Sequence, residues 1–469
     1  MRFSGLAVLL SSILGAGLAS GHTCLLQSCA QNALAFAYEY GYPLYAYGVF
    51  LRPYNNTAQT NKLYHQRDLA SPGVIAVVRP NVDTVYSVLF LDLSSSDLSF
   101  ALPKFDGRYW AQSFLDLYGS NVANIGNIAK DKPGRYLVRY APDNPGVQYA
   151  DVPAGYEAII NLPTPYGTSI TRILVKSDAG DIENVHHYQD KIAVSAQPRC
   201  DTSMVPPFNL SIFADSYYQP GPDVPVELAI MRLTAAFSKF NEPVLPQDRT
   251  WVADLLANAG IRYQSFRQPK DTSLTAAATS ANASVAALLA TPGFVQNLKN
   301  NWTLFQPIGN YGSFYQARYF IAVHGYGALT KDQTVYPSSP NLKLGPEQAF
   351  VLHFSRMPRV SSGGFWSLTV YGEDQLLIPN ELKRYALGDR SNLISASGKP
   401  IYESPDEPFD ILIQAGDVNP PSNWTSNWLP ISAGGGSFSI SLRFYGAEPE
   451  MTNGTYVYPE FRLRQAIRI

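Results

Sequence analysis

The segment "RPNVDTVYS" sets a guanidinium (Arg79), an amide (Asn81), a carboxylate (Asp83), a hydroxyl (Thr84) and a phenol (Tyr86) close together, just ahead of an apolar run. Asp83 and Tyr86 have the proton-transfer groups for general acid–base work, and Arg79 and Asn81 are the types that orient a polar ligand. A structural reading competes with this one. Pro80 fixes φ, Asn81 and Asp83 are turn formers, and Arg79 can pair with a carboxylate. "RYALGDRSN" poses the same choice. Arg384 and Arg390 with Asp389 form either an ion pair pinning a loop or an anion clamp. Asp83, Asp106, Asp116 and Asp389 are the carboxylates from which a glycosidase-type pair would be drawn, and spacing in sequence does not say which two approach.

Other chemistries find no motif. There is no G-x-S-x-G elbow, no phosphate-cradling loop and no dinucleotide fingerprint. The sequence therefore points to no cofactor. Of the six histidines, His186 and His187 are adjacent on an expected helix and point about 100° apart, so they do not face one ion. No metal site is expected from the internal histidines. One copper alternative rests on His22: cleavage of the leader after Gly21 would expose an amino-terminal His whose amine and ring nitrogen suit copper, whereas cleavage after Ala19 would remove the possibility.

Those residues need elements to position them. The chain has 469 residues, enough for two or three cores. Charged residues are 15%, aromatics 13% with 30 Tyr, and the net charge is −2, which argues against nucleic acid as a partner. Residues 1–21 have the layout of a signal peptide: Arg2, an apolar run, then small residues. No later stretch is apolar enough to span a membrane, so a secreted, extracellular glycoprotein is expected. Six sequons agree with that route, at Asn55, Asn209, Asn282, Asn301, Asn423 and Asn453. Cys24, Cys29 and Cys200 all survive cleavage, giving one disulfide, Cys200 with Cys29 or Cys24, and one thiol left over.

The expected fold is α+β, mainly β, with two β-sandwich or jelly-roll-like domains joined by a helical segment. The first, 22–200, opens with a helix ending near Gly41-Tyr42-Pro43 and continues with short strands bounded by Gly, Pro and Asp. "DIENVHHYQDKIAV" reads as a helix capped by Asp181. Residues 201–335 read as a helical linker, with "QPKDTSLTAAATSANAS" as a low-complexity connection and "VAALLATPGFVQNLKNNW" as a helix. From 336 to 469, alternation returns. In "SFSISLRFYG", Phe438, Ile440, Leu442 and Phe444 face one way and Ser437, Ser439, Ser441 and Arg443 the other.

"RPNVDTVYS", "GRYWAQSFLDLYGSNVANIG" and "ENVHHYQDKI", followed by "NWTLFQPIGNYGSFYQARY", "FWSLTVYGEDQLLIPNELKRYALGDR", "SNWLP" and "LRFYGAEPE", resemble a two-domain family catalogued as domains of unknown function 1254 and 1214. The resemblance spans nearly the whole chain after the leader. It implies β-sandwich or jelly-roll cores and frequent export, and it carries no reaction. It adds Tyr311, Trp366 and Tyr371 to Arg79, Asn81, Arg384, Asp389 and Arg390 as ligand-binding candidates. Val82 and Gly372 depart from the family pattern, where Asn and Asp are usual. The functional expectation is an enzyme acting on a small-molecule or saccharide-like ligand in an aromatic-lined cleft. The alternative is a non-catalytic secreted or cell-surface binding protein. The oligomeric state is unknown from sequence.

Overall fold

The computed structural model describes residues 27–54, 57–73, 78–178, 180–199 and 205–469. The leader-like segment, His22, Cys24, Asn55, Cys200 and most of "GVIAVV" lie outside the described residues.

Among the described residues the chain is mainly β, with several sheets and no closed barrel. In the first half, one antiparallel sheet runs Leu63–His65, Thr84–Asp92, Tyr166–Leu174, Trp110–Asp116, Asn121–Gly126 in spatial order. A second runs Ala193–Pro198, Ser96–Ala101, Arg135–Tyr140, Ala158–Leu162, Gly146–Gln148. Val85, Leu89 and Phe114 of the first and Phe100, Val138 and Ile160 of the second share one core. The Thr84–Asp92 strand is apolar on both faces because both are covered. Val85, Leu89 and Leu91 meet the second sheet, and Val88 and Phe90 meet helices.

Those helices centre on α1 (Gln27–Leu51). Gly41-Tyr42-Pro43, expected to end it, does not. A Cβ on Gly41 would come within 1.8 Å of Thr234 Oγ1, so the glycine is a notch for a neighbouring helix rather than a stop. Tyr38, Leu44 and Tyr47, on both sides of Pro43, lie in one core, and that packing carries the helix through the proline. After α2 (Asp181–Gln189), helices α3 (Val226–Phe237), α4 (Pro246–Asn258), α5 (Leu274–Leu289) and α6 (Tyr315–Gly325) pack around α1.

Two helical expectations change here. The low-complexity connection is α5 itself: Ser273 caps it by accepting from the Ala276 N–H at 3.1 Å, and Ala277, Ala278 and Ala281 are small enough for close packing on α1. The helix expected over "VAALLATPGFVQNLKNNW" stops before Pro292-Gly293, and Val295–Asn297 pairs as a strand with Thr303–Phe305. Residues 205–335 thus contribute a helical body that shares a core with the outer face of the first sheet, through Val88, Leu115 and Ile170. Asp181 does not cap α2. It is the first helical residue and takes both branches of the Arg108 guanidinium at 2.8 Å.

The C-terminal half has one sheet in the order Thr334–Val335, Gly436–Ala447, Val360–Gly372, Ala386–Gly388, with Leu342–Leu344 also on Gly436–Ala447. The other runs Trp428–Ile431, Phe409–Ala415, Gln348–Phe354, Glu460–Gln465. Phe438, Ile440, Leu442 and Phe444 enter their shared core, as the alternation requires. Ser439, Ser441 and Arg443 face the opposite way, toward the first half of the chain, and all three are buried.

Candidate functional site

The "RPNVDT" segment is a plug that docks the first half into the second. The Arg79 N–H donates to the Gln375 carbonyl at 2.9 Å, and the Arg79 carbonyl accepts from Arg443 at 2.8 Å. The Pro80 carbonyl accepts from the Tyr371 hydroxyl at 2.7 Å. Asn81 closes a turn by accepting from the Asp83 and Thr84 N–H groups and donates its amide to the Tyr445 hydroxyl. Asp83 accepts from Ser367 at 2.7 Å and from Arg390 at 2.5 Å. Arg79 is held at φ +52°, a left-handed conformation that costs about 1–3 kcal/mol for a residue with a side chain. Hydrogen bonds from both of its peptide groups to the C-terminal half hold it there.

Beside the plug lies a cavity of about 850 Å³, walled by both halves and by α6. One wall is apolar, with Phe50, Ile170, Phe305, Ile308, Phe320 and Ile321. The other carries Arg79, Arg172 and Arg443 with the phenols of Tyr86, Tyr336 and Tyr445. Arg172 stacks on the Tyr86 ring and donates to Ser113 and to the Gly327 carbonyl. Arg443 donates to Thr369, to the Arg79 carbonyl and to the Tyr371 hydroxyl. Arg79 and Arg443 both lie over the Tyr371 ring.

These three guanidiniums have neutral hydrogen-bond partners only. Among the described residues none of them has a carboxylate within ion-pair distance, and Asp68, which is exposed, is the one acid of the described lining. Arg79 Nη2 is buried with no partner. Burial, with Arg443 beside it, pushes Arg79 down to about 10 despite the nearby Tyr371. A guanidinium does not give up its proton at such a pH in practice. The physical content is that this buried charge lacks an anion.

The sequence candidates divide accordingly. Arg79, Asn81 and Tyr86 line the cavity. Asp83 does not. It is 5% exposed and committed to Arg390 and Ser367, a structural tie rather than a free base. Tyr371 backs the cavity wall. Tyr311 is buried in a separate cluster with Phe294 and Phe320. Arg384 donates to the Thr425 and Trp428 carbonyls and pins that loop, so it clamps no anion. Trp366 is fully buried in the C-terminal core. Asp106 and Lys176 belong to the Arg108–Asp181 cluster. The site residues that sequence reasoning missed are Arg172, His324, Tyr336, Arg443 and Tyr445. Arg172 lies in the Tyr166–Leu174 strand, in "TRILVK", and a charged side chain inside a strand among Ile170, Ile173 and Leu174 is the available signal.

Asp389 and Trp366 border a second, shallower hollow with Met357, Val360 and Glu450. Burial pushes Asp389 up to about 6, against the pull of Arg390. Its folded value therefore lies above the unfolded one, near 3.9, and its contribution to stability is full below that value and lost as pH rises through about 6. Asp389→Asn is expected to flatten this slope. The variant should match the wild type near pH 4 and exceed it at pH 7 by something on the order of 2–3 kcal/mol, read by urea denaturation at the two pH values.

Two comparisons bear on this geometry. The family described as protein of unknown function DUF1254 matches residues 60–196, and that described as DUF1214 matches 336–449, in this order. The chain belongs to the DUF1254–DUF1214 family. The plug falls within the DUF1254 match, and Arg443, Tyr445 and Gln375 fall within the DUF1214 match, so the cavity is assembled where the two family regions meet. The chain is similar to the VPA0106 protein of Vibrio parahaemolyticus at 20% identity over 93% of this chain and 100% of that one, with a TM-score of 0.59, a likeness of fold. It also resembles a putative uncharacterized protein from Burkholderia cenocepacia at 13% identity over 91% and 88% of the two chains, with a TM-score of 0.42. No curated protein matches the DUF1254–DUF1214 chain.

Proposed function

We propose that this protein binds a small organic anion with an apolar body in the cavity between its DUF1254 and DUF1214 regions. The observation that carries the reading is the set of three cavity-lining arginines, Arg79, Arg172 and Arg443, without a carboxylate partner. A neutral saccharide would leave those charges uncompensated. A carboxylate-type head would answer them, and Phe50, Ile170, Phe305 and Phe320 would cover its apolar part.

We read the paired sheets of each half as sandwiches, supported by the single core each pair shares. We also read the chain as exported and glycosylated. The sequons Asn209, Asn282, Asn301, Asn423 and Asn453 are all exposed, which supports that route. Cys29, near the start of α1, is engaged with a partner, which supports one disulfide.

Titration calorimetry with naphthylacetate and with its neutral alcohol tests the binding. The acid is expected to bind at least about 10-fold more tightly than the alcohol, the worth of one charge-assisted hydrogen bond. Equal affinities for the two probes would sink the anion reading.

A further inference from the structure

The anion site leaves two reactive groups unused. His324, at the end of α6, lines the cavity and is exposed to it. Its Nδ1 lies 2.8 Å from the Phe320 carbonyl oxygen. A carbonyl only accepts, so Nδ1 carries the proton and Nε2 keeps its lone pair. Partial burial lowers the His324 imidazole below its ordinary range, which favours the neutral ring; Arg79 adds to this, and the hydrogen bond to the Phe320 carbonyl opposes it. Tyr336 accepts from the Leu329 N–H at 3.3 Å, which leaves its own hydroxyl proton to donate. Burial raises the Tyr336 phenol above its ordinary value and keeps it protonated, and it lies within electrostatic reach of both Arg172 and Arg443.

We infer that the cavity catalyses keto–enol proton transfer on a bound aryl 2-oxo acid, with His324 as base and Tyr336 as acid. The inference rests on the anion reading and names its substrate class. A 2-oxo acid presents a carboxylate and an adjacent carbonyl oxygen, which suits arginines flanking a phenol better than a lone carboxylate does. Its C3–H is acidified by that carbonyl, which brings it within reach of an imidazole. In the forward step His324 Nε2 takes the C3 proton. The C–H electron pair becomes the C2–C3 double bond, and the carbonyl π pair moves to oxygen, which takes the Tyr336 proton. The resulting phenolate, beside Arg172 and Arg443, is reprotonated by solvent as His324 releases its proton. Atoms and charge balance with no oxidant, reductant or co-reactant.

Phenylpyruvate is the probe. Its enol–keto interconversion is followed by ultraviolet absorbance, and deuterium uptake at C3 by NMR. The protein is expected to accelerate both above buffer. His324→Gln and Tyr336→Phe should each lower the rate at least about 100-fold, the usual worth of a positioned acid or base. Phenylpyruvate binding, measured on the same samples, should stay within about threefold of wild type, because the arginines that hold it are untouched and a bound ligand reports an intact fold. The wild-type rate should fall at acid pH, once the pH drops below the ordinary imidazole range and the His324 ring charges. Binding without acceleration, or a His324→Gln variant as fast as wild type, overturns the inference and leaves the anion site standing. Failure of every anion to bind overturns both.

Discussion

Asp83→Ala is expected to destabilise the protein by about 3–5 kcal/mol, because it strands a buried guanidinium. Asp83 is 5% exposed, and the Arg390 side chain is 22% exposed, so solvent screens the pair little. Arg390 donates to Asp83 at 2.5 Å and has only Asp389, at 3.4 Å, as its other carboxylate. With Asp83 gone, one guanidinium is left with a partner that is itself reluctant to ionise. Ser367 loses its acceptor as well. The residues involved come from the two family regions, so the loss falls on their docking. Urea denaturation of Asp83→Ala should show a lower midpoint and, where the halves uncouple, two transitions in place of one. The double variant Asp83→Ala/Arg390→Met removes the stranded charge and should recover a good part of the loss. A loss below about 1 kcal/mol in the single variant would mean that the pair does not hold the junction. The same geometry answers the catalytic question about Asp83. A carboxylate already committed to a guanidinium and a hydroxyl, and outside the cavity lining, is in no position to act as base.

The residues that were legible and those that were not differ in the range of the contacts behind them. "SFSISLRFYG" showed its two faces in sequence because strand alternation is a local property, and the structure keeps Phe438, Ile440, Leu442 and Phe444 on one face and Ser439, Ser441 and Arg443 on the other. What the period does not say is what the polar face meets. Ser439, Ser441 and Arg443 would ordinarily be taken for a solvated surface. They are buried at the junction, where the Arg79–Thr84 segment, hundreds of positions earlier, docks on Ser439 and Arg443. The role of Arg172 is hidden for the same reason: its position in a strand is unusual in sequence, but its surroundings come from Tyr86, Ser113 and Gly327 in three separate segments. The helical errors have other causes. Gly41-Tyr42-Pro43 carries a strong local signal for a stop, and the close packing of α1 on its neighbours overrides it. The alanine-rich run before Leu289 differs: alanine is the best helix former, so the helix agrees with local propensity, and low complexity alone suggested a connection. The polar cluster ahead of the Tyr86 strand therefore divides into two roles. Pro80, Asn81 and Asp83 tie the halves together, while Arg79 and Tyr86 turn the resulting junction into a lined cavity.

Arg79→Gln separates those two roles. The substitution keeps the backbone position and carries the same left-handed strain, so the cost at φ +52° is common to both proteins. It removes hydrogen bonds to Gln375 at 2.7 Å and Ser439 at 3.2 Å, a loss of about 1–3 kcal/mol. It also removes a buried charge that has Arg443 for a neighbour and no carboxylate, which offsets that loss. The ligand-free variant is accordingly expected to melt within a few degrees of wild type. Anion affinity is a different matter, because a charge-assisted hydrogen bond of about 1.5–3 kcal/mol corresponds to roughly a 10–100-fold loss of binding. The remaining affinity should still depend on salt, carried by Arg172 and Arg443. Calorimetry with naphthylacetate and thermal melts on the same preparation read the two quantities independently. If the midpoint drops sharply while affinity is unchanged, Arg79 is part of the plug alone. If affinity drops while the midpoint holds, the charge that destabilises the empty protein is the charge that recognises its ligand, and the unanswered guanidinium is explained by the molecule it is built to meet.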